Sequence, residues 1–125
     1  ITGGAYLTWN TETFDYGGFH SGSTSTILIP SGYGGIYLIF GLISWAEGSS
    51  SHREIDIVKN GSIIGGKRVF GATTGRLDQN LTMFDTCQGG DYYELFADHD
   101  SVIGQTVTMS AANRNFSQFG AIKLF

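Results

Sequence analysis

The hydrophobic and polar positions of this chain follow strand periods rather than helical ones. The most apolar stretch, Gly34 to Trp45, has no charged residue. In an extended chain it places Tyr37, Ile39, Gly41, Ile43 and Trp45 on one side and Leu38, Phe40, Leu42 and Ser44 on the other. Its aromatic and β-branched residues suit a pleated strand, and it is too short for a membrane helix, which needs about 20 apolar residues. Neither side is polar, whereas an antiparallel strand with one face in water alternates cleanly. Both faces of this strand are therefore expected to be covered. Arg53 to Lys59 does alternate, with Ile55 and Ile57 opposite Glu54, Asp56 and Val58. Asn60-Gly61 follows, the pair that best tolerates the left-handed residues of a type I′ hairpin turn. Ser62 to Phe70 is expected to pair back, with a kink at Gly65-Gly66.

The same reading predicts strands at Ala5 to Thr11, at Thr26 to Ile29 and from Leu81 to Cys87. A tight Gln88–Asp91 turn leads into Tyr92 to Ala97, where Tyr93, Leu95 and Ala97 face one way and Tyr92, Glu94 and Phe96 the other. Gln105 to Ser110 and Phe116 to Phe125 complete the set. The segments between them read as loops. These are an irregular glycine and aromatic stretch at Phe14 to His20, then Ser21 to Ser25, Ala46 to His52, Gly71 to Gly75, Asp98 to Ser101 and Ala111 to Asn115. About ten short strands with turns every 8 to 12 residues predict an all-β antiparallel sandwich or jelly roll.

Composition narrows the picture. The chain has 125 residues, enough for one domain with a real core. Nineteen Gly against one Pro, nine Phe, six Tyr and only 14% charged residues fit a turn-rich β protein. The formal net charge of −4 and scattered basic residues argue against nucleic-acid binding, which needs clustered Lys and Arg. Cys87 is the single cysteine, so no intrachain disulfide forms. The chain begins at Ile1 without Met or a signal-like segment, which suggests a processed product or the C-terminal part of something longer.

Candidate chemistry is sparse. Gly61 to Lys67 matches G-x-x-x-x-G-K, but Arg68 stands where a phosphate loop has Ser or Thr, and the segment lies in a hairpin rather than ahead of a helix. Asp98-His99-Asp100 offers two carboxylates and an imidazole, the beginnings of a weak calcium site, without the glycine and glutamate of an EF-hand loop. His20, His52 and His99 occur in no nucleophile or metalloprotease motif, and Cys87 has no basic neighbour in sequence. The chain is therefore expected not to be an enzyme and to have no cofactor. Tyr92 and Phe96 beside Glu94 would leave a lone sandwich with apolar surface in water, a feature that usually marks an interface. Ser21, Ser23, Ser50, His52, Asp98, His99 and Asp100 are the candidate exposed loop residues for binding.

In order and spacing the chain resembles the C1q/TNF-like trimeric jelly rolls. The resemblance rests on Phe14-Asp15-Tyr16-Gly17-Gly18-Phe19 feeding an Ile-X-Ile-Pro strand, Gly35-Ile36-Tyr37 opening the long apolar strand, Lys59-Asn60-Gly61, Gly90-Asp91-Tyr92-Tyr93-Glu94-Leu95, and Phe119-Gly120 near the end. Gly-Gly-Phe-His and Gly-Gly-Asp-Tyr-Tyr-Glu-Leu look most like the versions in bacteriophage fibre or capsid-decoration proteins. The resemblance implies a homotrimer on the virion surface, touching other virion proteins such as the major capsid protein, and presenting loops for attachment. The alternative is a receptor- or glycan-binding domain of a secreted or cell-surface protein. It also implies that the Gly34–Trp45 strand lies in the outer sheet, its second face covered by Phe14–Phe19, loops or a neighbour's rim, with the threefold axis at Tyr92, Glu94 and Phe96.

Overall fold

The computed structural model describes residues 3–11, 15–46, 52–70, 75–100, 105–107 and 117–125. Among them are eight strands and no helix: β1 (Ala5–Tyr6), β2 (Thr26–Leu28), β3 (Gly35–Trp45), β4 (His52–Lys59), β5 (Ser62–Phe70), β6 (Leu77–Cys87), β7 (Tyr92–His99) and β8 (Gln118–Lys123). One sheet runs β1-β7-β4-β5, with β2 also on β7, and the other runs β6-β3-β8. All pairings are antiparallel. The chain is therefore an all-β sandwich. β1 meets β7 at Phe96 and Ala97, and β2 meets it from Tyr92 to Glu94, so two short strands share one edge of β7 end to end.

The core forms where the two inward faces meet. Tyr37, Ile39, Ile43 and Trp45 of β3 pack with Ile55 and Ile57 of β4 and with Tyr93, Leu95 and Ala97 of β7. Each such fully buried large side chain contributes roughly 1.5–3 kcal/mol relative to exposure. Gly41 interrupts the β3 face because Leu95 fills its place: a β-carbon at position 41 would stand 2.5 Å from a Leu95 methyl.

The hairpin follows the sequence. Asn60 and Gly61 both have positive φ, 50° and 84°, as a type I′ turn requires. Ile57 pairs with Gly65 but Val58 with Ile63, so Ile64 is an extra residue, a bulge at the expected kink. The bulge turns Ile64 onto the core and leaves Ile63 at 63% exposure.

Polar pins close both ends. At the hairpin end, Lys59 Nζ lies 2.8 Å from Asp85 and 3.5 Å from Asp91, and donates to the Thr86 carbonyl. The Tyr93 hydroxyl donates to the same Asp85 at 2.6 Å. At the other end, Arg53 shares the inward face of Ile55 and is fully buried, its guanidinium 5.5 Å from the Trp45 ring centroid. It donates to the Gly75 and Ala46 carbonyls and to Gln105 Oε1. Gln79 donates to the Arg53 carbonyl and accepts from Trp45 Nε1 at 2.7 Å. Burial moves the Arg53 guanidinium pKa below its ordinary value.

Several expectations change. The first strand is only Ala5–Tyr6, with a single further bridge from Trp9 to Thr24. In the predicted Gln105–Ser110 strand, Val107 makes one bridge to Trp45, and residues 108–110 lie outside the described residues. Phe19 does not cover the second face of β3. It packs against Tyr33 and Tyr37, on the core side. Asp15 holds it there, its carboxylate accepting from the Phe19 and His20 amides at 2.9 and 3.1 Å. Desolvation acts to raise the Asp15 pKa, but the backbone donors outweigh it and the net direction is downward.

Candidate functional site

The two outward sheet faces differ in kind. On the β6-β3-β8 sheet, Leu38 lies between Phe84 and Ile122, Phe40 between Thr82 and Gly120, and Leu42 between Asn80 and Gln118, with Ile36 opposite Thr86. None of these residues is charged. Ile36, Phe84 and Ile122 are 40%, 68% and 44% exposed, and Leu38, Phe40 and Leu42 are half-buried. The second face of β3, expected to be covered, is thus an apolar surface in the single chain.

The outward face of the other sheet is mixed, with exposed Tyr6, Leu28 and Phe70 beside charged residues. Tyr92, Glu94 and Phe96 do line up on β7, alternating with the buried Tyr93, Leu95 and Ala97. All three are half-buried within the chain. Tyr6 meets Phe96 edge-to-face at 5.0 Å, and Ser25 Oγ donates to Glu94 at 2.5 Å. Beside them, β4 presents His52, Glu54, Asp56 and Val58, and β5 presents Arg68 across from Glu54.

Three carboxylates meet on this face. Cross-strand register sets Glu54 opposite Asp98 and Asp56 opposite Phe96. Ligand atoms of His52, Glu54 and Asp98 all lie within 4.8 Å of one another. His52 Nε2 is 3.9 Å from Asp98 Oδ2, and Nδ1 is 3.5 Å from Asp100 Oδ2. Arg68 pairs with Glu54 through Nε and Nη2. Asp56 is only 3% exposed and its carboxyl hydrogen-bonds to Glu54. Burial, then that hydrogen bond, then the charges of Glu54 and Asp98 push the Asp56 pKa up to about 7. Gly66 makes room for it, since a β-carbon there would collide with Asp56 Oδ1.

The predicted loop residues separate into distinct positions. Ser21 and Ser23 are exposed, ahead of β2. Ser50 lies outside the described residues. His52 opens β4 rather than closing a loop. Asp98 and His99 are the last residues of β7, because the β4 pairing continues through Arg53 and His99; Asp100 follows the strand end. Adjacent strand residues point to opposite faces, which corrects the idea of a loop site at Asp98-His99-Asp100. Asp98 faces outward, whereas His99 is 3% exposed with its ring edge-on to Trp45 at 6.0 Å.

Sequence reasoning missed Glu54 as a neighbour of Asp98. Glu54 and Asp56 read as the polar side of an alternating strand, and only the β4–β7 register brings them to His52 and Asp98. It also passed over Phe84 and Ile122, although the unpolar second face of β3 was a usable signal. Comparison with known proteins finds no protein-family model and no curated protein that matches this chain.

Proposed function

We propose that the chain is a non-enzymatic structural module, a C1q/TNF-like jelly roll that assembles as a homotrimer on a bacteriophage virion, as capsid decoration or fibre head, and presents surface loops for attachment. The observation that carries the assembly is the apolar patch of Ile36, Leu38, Phe40, Leu42, Phe84 and Ile122, with Asp78 at the far end of the same face, because a contiguous exposed apolar surface marks an interaction site. The virion setting rests on the sequence resemblance. Of the two outward faces this one fits a subunit contact better than that of Tyr92, Glu94 and Phe96. The latter carries buried and half-buried carboxylates, and sealing charge away from water is costly without partners.

Sedimentation of the purified chain tests the assembly. The expected species has three times the 13.5 kDa chain mass. Phe84→Asp is expected to give monomer and Phe96→Asp to leave the trimer in place; dissociation by Phe96→Asp alone would return the contact to β7. A wild-type chain that stays monomeric at micromolar concentration defeats the proposal.

A further inference from the structure

We propose that His52, Glu54 and Asp98 bind one divalent transition-metal ion of the Zn2+ class, tying the first residue of β4 to the end of β7. The inference is independent of the trimeric assembly. An imidazole with two carboxylates is a donor set for zinc, whereas calcium and magnesium take oxygen ligands.

The geometry supports a shared ion in three ways. First, the ligand atoms converge within 4.8 Å from two paired strands. The 3.9 Å between His52 Nε2 and Asp98 Oδ2 exceeds a hydrogen bond. It is near the separation of two ligands on one tetrahedral ion, roughly 3.4 Å for bonds of about 2.1 Å. Second, His52 Nδ1 faces Asp100 at 3.5 Å. A carboxylate behind the imidazole is the arrangement that fixes the tautomer of a metal-binding histidine and raises its basicity. Third, the β4–β7 register sets Glu54 directly opposite Asp98, and like charges across a strand pair are destabilising, which creates a demand for a cation beside them. Arg68 meets part of it, and as a hydrogen-bond partner of Glu54 it would orient that ligand.

The test is zinc titration of the full chain after dialysis against chelator, read by calorimetry and by the 15N shifts of the histidine side chains. One Zn2+ per chain is expected, with micromolar or tighter affinity, a shift at His52 Nε2 and none at His20. His52→Ala and Asp98→Asn should each remove saturable binding, and Asp100→Asn should weaken it by about tenfold to a hundredfold. The His52 shift is read on the unaltered protein, so a variant that fails to fold leaves the test intact. No saturable uptake in the micromolar range overturns the proposal. So does uptake that survives both His52→Ala and Asp98→Asn, or calcium binding as tight as zinc.

Discussion

Phe40 lays its ring over Gly120 of the neighbouring strand, at a point where any β-carbon would collide with it. Glycine in a strand is ordinarily a loss, because it packs nothing and costs backbone entropy. Here the missing side chain lets the aromatic ring reach over the neighbouring strand and extend the apolar surface. Gly120→Ala should lift the ring and roughen that surface. For the proposed trimer the expected result is weaker association, seen as a raised dissociation constant in sedimentation, with the strand signal in circular dichroism retained.

Gly41 and Leu95 make a similar fit inside the core, where nothing can yield outward. Leu95 is fully buried, so a methyl at position 41 must displace a packed side chain. Gly41→Ala is expected to destabilise the fold by about 1–3 kcal/mol, the usual cost of overpacking. Denaturant midpoints would measure it, and a neutral result would mean that the sheets separate more easily than this packing implies.

Lys59 holds Asp85 and Asp91 at the hairpin end while both carboxylates have other donors, Tyr93 and Asn60. Desolvation opposes the Lys59 charge, but the two carboxylates prevail and its pKa rises. Lys59→Met keeps the packing over the Tyr93 ring and removes the charge. A loss of about 1–3 kcal/mol in chemical unfolding is expected, typical of a hydrogen-bonded charge in a largely buried setting.

Asp56 gives the pH dependence a sign. Its folded pKa of about 7 stands above the ordinary 3.8, so the folded chain holds a proton that the unfolded chain releases. The contribution to stability is complete below about pH 4 and is lost as pH rises through 7. Asp56→Asn should flatten the fall in unfolding free energy between pH 5 and pH 8, measured in chelator so that no metal intervenes. A slope equal to that of the unaltered chain would remove Asp56 as its source.

Much of the fold was readable from residue periods. The long apolar strand, the Asn60-Gly61 hairpin, its glycine kink and the turn before Tyr92 are local features, each written in a few adjacent residues. Strand extent was harder. β7 runs on through Asp98 and His99 because its partner Arg53 continues the ladder, although those residues alone look like a loop. The candidate sites were least legible. His52, Glu54 and Asp98 meet only through the antiparallel register of β4 and β7, and Phe84 joins Leu38 and Ile122 only through the order β6-β3-β8. Such relationships depend on which strands become neighbours, and residue period does not encode that choice.

The placement of β1 and β2 along one side of β7 bears on how copies of this chain can meet. A long bare edge would invite another chain to add its own strand and continue the sheet without limit. Two short pieces laid end to end offer no such template, and the opposite edge, β5, is bent by its bulge and carries Lys67 and Arg68. Fibrous growth by strand addition is thus discouraged on both flanks of this sheet, which leaves copies of the chain the sheet faces and the outer strands of the other sheet, β6 and β8, to meet through.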